Sequence, residues 1–522
     1  MGRALAAAAR GDAVSARMGL ESASNGTDLR RAVCVGRLHL NENEAVTRTR
    51  TLSASQIVAR PIDEVFGFFS RPENLGRIMP PEFGLVIRSA DRAMRAGLVI
   101  DYTVRPLLGI GTTWRTRIDA CAPPHGFADV QLRGPYRRWE HRHAFASVVN
   151  GTRIDDEIDY EMPLGRFGDA LHDRLVRPAL ERLFRYRAAA IDAVFASAGV
   201  ADHPLTIAVA GGTGFVGGAI AAELRRRGHR LVVLSHRGEA ARGPLPDDVE
   251  IRTADTAVPA ALGAALAGVD ALVIALAFPN YPMENPRRGH TFMDVDAAGT
   301  ERLVAAAREG GVRRVVYVSG AGAAPDAKRV WFRAKWRAEE AVRGSGIAHA
   351  IIRPTWIYGP RDAALNRFLA FARTLPFVPL TNRGRQLMAP VFIDDIARLA
   401  ADSLIMDAAV DMDAAVDQVF EVGGPETMTM REVIRRAVAM AGTPRPILPG
   451  PTLLLKLAAW PLSFLPRPPL TPSAVDFINQ PATVDVRPLL ARMPRRLTPL
   501  DEGLAMYLGP TPGPELRFGP AA

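Results

Sequence analysis

The sequence predicts two folded domains of different class, an α+β domain followed by an α/β domain with a doubly wound parallel sheet. Apolar and polar residues alternate over residues 98–104, which is typical of an antiparallel strand with one solvated face. A glycine-rich turn follows a short apolar run at 206–210 and precedes a helical pattern. From there to residue 360, strand and helix patterns alternate, as they do around a parallel sheet.

Composition changes along the chain mark the domain boundaries. Residues 1–49 are rich in Arg and Ala without a sustained period, which predicts a disordered extension. We place the α+β domain at 50–198 and a short linker at 199–204. The α/β domain, with a C-terminal cap region, follows at 205–510, and a loose Gly/Pro-rich tail at 511–522.

The first domain is predicted to be an antiparallel sheet that curls around one long helix and leaves a cavity between them. A strand at 53–60 precedes a helix at 61–69, which has proline in its first turn. Apolar residues at helical spacing predict the long helix at 167–195. Further strands are predicted at 98–104, 112–121, 126–133, 138–147 and 152–161.

Polar and aromatic side chains meet on one predicted face of this sheet. Trp139, His141 and His143 share a face by period-two spacing, and Asp156 lies inward on the next strand. Three readings stay open: cross-strand packing, the lining of a cavity for a small hydrophobic ligand, and a metal site, since two histidines and an aspartate are zinc ligands. We assign these four residues to a ligand site and assign no metal.

Three segments of this domain, 65–75, 134–145 and 151–160, resemble the SRPBCC/START-like superfamily of helix-grip domains. That superfamily includes polyketide cyclases and carriers of lipids or quinones. The resemblance implies a domain that holds a hydrophobic ligand, and it does not specify which one.

The glycine-rich turn predicts a dinucleotide site. Three glycines spaced G-x-x-G-x-x-G place backbone N–H groups and a helix N-terminus at the tip of the first strand, where a pyrophosphate binds. Glycine is needed because the turn requires unusual dihedral angles and close approach of the phosphates. The residues of this turn are Gly211, Gly212, Thr213, Gly214, Phe215, Val216 and Gly217.

The end of the second strand favours NADP over NAD as cofactor. NAD sites place an acidic residue there, whereas this chain has Ser235 and Arg237, which suit a 2′-phosphate. The alternative is that Arg237 caps a solvated turn. Asp255 is expected near the adenine, and Leu276 and Pro354 are expected beside the cofactor.

Four further segments strengthen the assignment of the second domain. Together with the glycine turn, Asp296-x-x-Gly-Thr300, 318–320, 353–360 and 391–395 resemble the extended or atypical short-chain dehydrogenase/reductase superfamily. The similarity is greatest to epimerase/dehydratase-type proteins, which include the nucleotide-binding accessory subunit of respiratory complex I. The resemblance implies a Rossmann-like fold and a catalytic Tyr-x-x-x-Lys pair.

The catalytic set implied by this resemblance is incomplete. The matching stretch places Trp331 at the tyrosine position, and indole cannot donate and recover a proton as phenol does. Lys335 is retained and is expected to hold the nicotinamide ribose, with a helix-surface lysine as the alternative. Ser319 is the candidate hydroxyl, and Tyr281 or Tyr358 could replace the missing phenol.

Two classes of function stay open from the sequence. One is a reductase or epimerase/dehydratase-type enzyme for a hydrophobic molecule; the other is a non-catalytic NADP-dependent sensor or assembly factor, or a lipid or quinone carrier. Basic residues form no stripe interleaved with aromatics, so no nucleic-acid partner is expected. Unpaired Cys34 and Cys121 and the lack of an 18-residue apolar run predict a cytoplasmic protein, with at most peripheral membrane contact at 452–465.

Overall fold

The computed structural model describes residues 48–80, 83–89, 94–107, 110–163, 168–169, 172–196, 199–278, 284–286, 289–405, 418–462, 472, 475, 479–508 and 517–520. The extension predicted over 1–49 lies almost entirely outside the described residues. Residues 46–522 form one compact unit.

The first part of this unit is an antiparallel sheet. Its strand order is β2-β3-β4-β5-β6-β7-β1, and every neighbouring pair is antiparallel. These strands are β1 (Arg50–Val58), β2 (Val86–Ser89), β3 (Val99–Leu107), β4 (Ile110–Ala122), β5 (Gly126–Arg133), β6 (Arg138–Val148) and β7 (Gly151–Glu161). Inward residues of β6 and β7 are buried alternately, as the period-two pattern predicts.

Two helices cover one face of this sheet. They are α1 (Ile62–Phe69) and α2 (Arg177–Phe195), with a 3₁₀ segment at Pro72–Arg77 and a π-helical turn at His172–Val176. Phe66 and Phe69 of α1 pack with Phe145 of β6, and Ile191 of α2 joins the same buried cluster. The predicted helix at 167–195 therefore corresponds to the π-helical turn and α2, and residues 164–167 and 170–171 lie outside the described part.

The second part of the unit is built on a parallel sheet. Its order is β10-β9-β8-β11-β12-β13-β18, and the direction of winding reverses between β8 and β11. Its strands are β8 (Thr206–Ala210), β9 (Arg230–Ser235), β10 (Glu250–Thr253), β11 (Ala271–Ile274), β12 (Arg314–Val318), β13 (Ala348–Pro354) and β18 (Gln418–Val422). Three separate two-stranded sheets pair β14 (Ile357–Tyr358) with β17 (Val391–Phe392), β15 (Val378–Leu380) with β20 (Ile447–Pro449), and β16 (Leu387–Met388) with β19 (Met428–Thr429).

Helices cover both faces of the parallel sheet, so its strands are apolar almost throughout. One face packs against α3 (Phe215–Arg226), α8 (Ile393–Ile405) and α11 (Arg487–Arg492), and the other against α4 (Ala260–Ala265), α5 (Gly299–Glu309) and α6 (Val330–Arg343). The other described helices of this part are α7 (Ala363–Thr374), α9 (Met430–Met440), α10 (Thr452–Leu462) and α12 (Leu500–Leu508). A π-helical turn at Met293–Ala298 leads into α5. This doubly wound parallel sheet is the Rossmann-like architecture that the sequence predicted.

A cap lies beside the carboxyl ends of the parallel strands. Leu369 of α7, Val433 of α9 and Leu504 of α12 share one buried cluster with Tyr358. The apolar segment predicted at 452–465 forms α10 up to Leu462, and its Leu453 and Trp460 are exposed. Among the described helices, none combines the length and apolar character that a membrane crossing requires.

The last described strand differs from the sequence prediction. β21 (Arg517–Pro520) pairs antiparallel with β1 and extends the first sheet, with Ser53 opposite Arg517. The sequence predicted a loose tail over 511–522. Gly/Pro composition indicates turns, but it carries no information about a distant strand edge with free hydrogen-bonding groups.

Candidate functional site

The glycine turn lies at the reversal point of the parallel sheet, where α/β proteins bind nucleotides. Gly211 has φ +83°, and a Cβ there would lie 2.4 Å from the carbonyl oxygen of Ala275 on the neighbouring strand. A Cβ on Gly217 would lie 2.3 Å from the Gly211 carbonyl oxygen. Side chains are thus excluded by backbone on two sides, and only glycine allows the turn to fold back onto α3.

The N-terminus of α3 faces out of this turn. Gly214 is its N-cap, and no side chain caps the helix there. Helical N–H groups at such an end bind anions. Gly212 and Thr213 lie in the turn, Phe215 and Val216 begin α3, and Gly212 packs against Val233 of β9.

An arginine that the sequence analysis did not select contacts this loop. Nη2 of Arg361 donates to the Thr213 carbonyl oxygen at 3.1 Å, and Arg361 itself is exposed. Its guanidinium therefore adds a positive charge beside the phosphate-binding turn. The sequence offered one signal for Arg361. It directly follows Tyr358-Gly359-Pro360, a motif at the carboxyl edge of the sheet.

The end of β9 carries no carboxylate. Ser235 is buried, and its Oγ accepts a hydrogen bond from the Arg237 amide at 3.2 Å. His236 and Arg237 are exposed. Glu239, the first acidic residue after them, is paired with Arg242.

The three remaining predicted cofactor contacts lie at the same edge of the sheet. Asp255 is exposed after β10, and its carboxylate accepts from the Ala257 amide at 2.8 Å. Leu276 follows β11 and is half-buried. Pro354 ends β13, is buried, and accepts from the Ala321 amide at 2.8 Å.

Lys335 lies inside the protein at the carboxyl ends of β11 and β12. It is 3% exposed, so it is not a helix-surface lysine. Its Nζ donates to the Leu276 carbonyl oxygen at 2.9 Å and to the Val318 carbonyl oxygen at 3.4 Å. Nζ also lies 3.0 Å from Oδ1 of Asp296.

Asp296 is the first residue of the Asp296-x-x-Gly-Thr300 motif and lies just before α5. Its carboxylate is fully buried. Burial raises the pKa of Asp296, and the Lys335 ammonium opposes that shift. Its Oδ2 accepts from the Phe278 amide at 3.0 Å. Oδ1 faces the Lys335 ammonium as its ion-pair partner.

Trp331 occupies the space beside the end of β12. A Cβ on Gly320 would lie 2.8 Å from Cη2 of Trp331, so the indole packs directly on this glycine. Tyr358, one of the suggested replacements for the missing phenol, is buried and directs its hydroxyl to the carbonyls of Pro499 and Leu500 at 3.4 Å. Tyr281, the other, lies outside the described residues.

Ser319 is part of a buried ion-pair network. Its Oγ donates to Oε1 of Glu339 at 2.6 Å, and Glu339 is fully buried. Arg353 binds both carboxylate oxygens of Glu339, at 2.8 and 2.7 Å, and Arg343 contacts Oε2 at 2.5 Å. The hydroxyl of Ser319 is thus directed into the packing between α6 and β13.

In the antiparallel sheet, the side chains predicted to share a face do so. Trp139, His141, His143 and Asp156 are all buried, with 7–8% of each exposed. Nδ1 of His143 lies 2.5 Å from Oδ1 of Asp156, and Nε2 of His141 lies 3.3 Å from the same oxygen. The two imidazole rings have centroids 3.8 Å apart.

Two charged residues that the sequence analysis missed complete this cluster. Asp129 lies opposite His141 on β5, and Arg187 reaches Asp156 from α2 at 3.4 Å. Both are buried. The sequence held a signal for both residues. Asp129 lies two positions after Phe127 and so on the same face of its strand, and Arg187 lies on the apolar face of a helix, where a single charged residue requires a partner.

Burial and charge set opposite protonation for the two histidines. Burial and the neighbouring His143 lower the pKa of His141 to about 4. Burial also acts against protonation of His143, but the Asp156 and Asp129 carboxylates outweigh it and raise the pKa. For Asp156, burial is overcome by Arg187 and the histidines, which hold its pKa well below the usual range.

A cavity lies next to the cluster, between β1, β7 and α2. It is bordered by Gln56, Asp156, Phe184 and Arg187, and its volume is about 10 Å³. That is room for about one water molecule. The ligand site predicted at Trp139, His141, His143 and Asp156 stays a prediction.

Comparison with known proteins identifies the parallel-sheet domain. A family model described as NAD(P)H-binding matches residues 211–369. A (4-alkanoyl-5-oxo-2,5-dihydrofuran-3-yl)methyl phosphate reductase of Streptomyces griseus is 30% identical over 249 residues, which cover 46% of this chain and 74% of that protein. The chain belongs to the NAD(P)H-binding, reductase/epimerase-like family.

Two other proteins that resemble this chain carry names of different kinds, a reductase and a subunit of NADH dehydrogenase. The 2-alkyl-3-oxoalkanoate reductase of Stenotrophomonas maltophilia is 27% identical over 263 residues, 46% of this chain and 77% of that protein. The mitochondrial NADH dehydrogenase [ubiquinone] 1 alpha subcomplex subunit 9 of Arabidopsis thaliana is 32% identical over 151 residues, 29% of this chain. The chain spans only 36% of the length of that subunit.

A solved structure, the Citrobacter sp. triphenylmethane reductase complexed with NADP(H), is also similar. It has 21% identity and a TM-score of 0.45, and the similarity covers 58% of this chain and 100% of that chain.

Proposed function

We propose that this protein is an NADP(H)-dependent reductase for a small hydrophobic carbonyl compound. The observation that carries the proposal is the glycine turn at the reversal point, with the Lys335 ammonium held beside Leu276 at the same edge. The tight turn presents the N-terminus of α3 without a side-chain cap, which fits a pyrophosphate. When bound, the nicotinamide supplies a hydride to an electrophilic carbon of the substrate.

Arg237 supports NADP rather than NAD. Its exposed guanidinium and the neighbouring His236 follow a strand that ends without a carboxylate, and a 2′-phosphate requires cationic partners there. Arg361 adds a second exposed cation beside Thr213 of the turn.

Lys335 and Asp296 would orient the nicotinamide ribose. Two carbonyls and the Asp296 carboxylate fix the position of the ammonium, which would place its positive charge beside the ribose. Neither residue would act as the proton donor for the product oxygen; that proton would come from water.

The substrate class is proposed from two relatives. Both are reductases whose names contain an alkyl or alkanoyl group beside an oxo group. The antiparallel domain would assist by contacting the apolar part of such a molecule, as its START-like resemblance implies. The cavity next to Asp156 has room for about one water molecule.

The test is a deuterium-transfer experiment. Purified protein is incubated with NADPH deuterated at C4 and a panel of long-chain 3-oxo esters and quinones, and product is analysed by mass spectrometry. We expect single deuterium incorporation and a preference for NADPH over NADH, with Arg237→Ser reducing that preference at least tenfold and Arg230→Ser, at the exposed start of β9, leaving it unchanged.

A second function, nucleotide binding without catalysis, is favoured by Trp331. Its indole packs on Gly320 where the superfamily has its phenol, and Ser319 is engaged by Glu339. If NADPH binds tightly but no deuterium is transferred, even by Trp331→Tyr with its restored Tyr-x-x-x-Lys sequence, the protein is a nucleotide-binding sensor or assembly factor.

A further inference from the structure

We propose that Asp129, His141 and His143 form a binding site for a divalent transition-metal ion of the Zn²⁺ class, inside the antiparallel sheet. This site is separate from the nucleotide turn and rests on different residues. The proposal is argued from the spacing, burial and outer contacts of these three side chains.

The three ligand atoms have the separation of metal ligands rather than of hydrogen-bonded groups. Oδ2 of Asp129 lies 3.8 Å from Nδ1 of His141 and 3.7 Å from Nε2 of His143. The three groups offer one ligand atom each within 4.8 Å of one another. Around a tetrahedral ion with bonds of about 2.1 Å, neighbouring ligand atoms are roughly 3.4 Å apart. The two distances from the Asp129 oxygen exceed this value by only a few tenths of an ångström.

The strand register brings these residues together without strain on the sheet. Asp129 of β5 is directly opposite His141 of β6, and His143 is two residues further along the same face. Because all three side chains project from hydrogen-bonded strands, their positions are fixed before an ion binds. Preorganised donors of this kind lower the cost of metal binding.

The outer contacts are those of a metal-bound histidine pair. Each imidazole directs its other nitrogen to Oδ1 of Asp156, at 2.5 Å for His143 and 3.3 Å for His141. A carboxylate behind a histidine fixes its ring and tautomer and increases its basicity toward a metal. Arg187 lies 3.4 Å from that oxygen and balances its charge.

Burial of the donor set is the second independent observation. His141 and His143 are more than nine-tenths buried. The ring of Phe127 packs 4.3 Å from that of His143 and shields this side of the site. Two histidines and one carboxylate bind Zn²⁺ with a fourth position open to water.

The experiment uses the full chain and metal ions alone, without nucleotide. Protein is stripped with a chelator, dialysed, and titrated with Co²⁺, whose visible bands report four-coordination, and then with Zn²⁺ in competition. We expect one equivalent to bind, Asp129→Asn and His141→Gln to weaken binding at least 100-fold, and Asp156→Asn to weaken it 10- to 100-fold. The matched controls are Asp155→Asn and His125→Gln, which change exposed residues near the site.

Two results would overturn the proposal. One is a wild-type protein that binds neither ion, which does not depend on the folding of any variant. The other is Co²⁺ binding that Asp129→Asn leaves unchanged in a variant whose circular dichroism matches the wild type. Because no nucleotide is present, either result leaves the proposed reductase function untouched.

Discussion

Nζ of Lys335 on α6 lies 3.0 Å from Oδ1 of Asp296, which precedes α5, and both side chains are buried. The ion pair joins two helices beneath the nucleotide-binding edge. It also fixes the ammonium that we propose for the ribose, so the stability of the domain and nucleotide binding depend on the same contact.

Removing one partner of this pair is expected to destabilise the protein strongly. Asp296→Asn leaves a buried ammonium without its counter-charge, which costs about 3–5 kcal/mol of unfolding free energy. Urea denaturation measures the change. The control is Glu301→Gln, which removes the exposed pair with Arg337 between the same helices and should cost less than about 1 kcal/mol. Equal losses in the two variants would contradict the buried pair.

The glycine turn gives a prediction about nucleotide affinity. Gly217→Ala places a Cβ 2.3 Å from the Gly211 carbonyl oxygen, so the turn must open. Fluorescence titration with NADPH should show at least a tenfold weaker Kd. Gly263→Ala in α4, where a Cβ meets nothing within 4 Å, should keep the Kd and add up to about 1 kcal/mol of stability.

Ser319 is expected to act in stability rather than in catalysis. Ser319→Ala removes the hydroxyl donor of Glu339 but leaves Arg353 and Arg343 in place, so the loss is about 1–3 kcal/mol of unfolding free energy. The deuterium-transfer rate should stay within about twofold of the wild type. A drop of 100-fold or more, with Ser403→Ala in α8 as an unaffected control, would restore Ser319 to a catalytic role.

Asp362 predicts a pH dependence of stability. It is buried as the N-cap of α7, and burial raises its pKa to about 6, against the hydrogen bonds from the Leu365 and Ala364 amides. Between pH 4 and 6 the folded state therefore holds a proton that the unfolded state lacks, so this contribution to stability is lost as pH rises through 6.

The corresponding measurement compares wild type with Asp362→Asn. Between pH 7.5 and pH 5, the wild type should gain about 1 kcal/mol of unfolding free energy relative to the variant. Asp63→Asn, at an exposed site in α1, should show no such difference. If acidification instead lowers the unfolding free energy of the wild type relative to Asp362→Asn, the prediction of a raised Asp362 pKa is wrong.

The sequence predicted the parallel domain well because its signals are local. Strand, glycine turn and helix follow one another within 20 residues, and the positions of Gly211 and Gly217 need only the backbone to be understood. The NAD(P)H-binding assignment followed from that turn. The inward face of Trp139, His141 and His143 was likewise predicted from period two alone.

What sequence patterns could not give were contacts between distant segments. Ser319 donates a hydrogen bond to Glu339, which is twenty positions away on a different element. His143 contacts Arg187, which lies on a helix packed against the sheet. Burial of Lys335 likewise depends on how α6 packs against the strand ends. Helical spacing places a residue on a face, but the identity of the opposing surface is a property of the fold.

The pairing of β21 with β1 has a consequence for biosynthesis. Arg517–Pro520 is made more than 450 residues after the strand edge that it covers. At usual rates of translation, that edge faces the ribosome, the chaperones and neighbouring nascent chains for tens of seconds. The sheet is therefore most exposed to strand exchange between copies while the nucleotide-binding domain is still being synthesised.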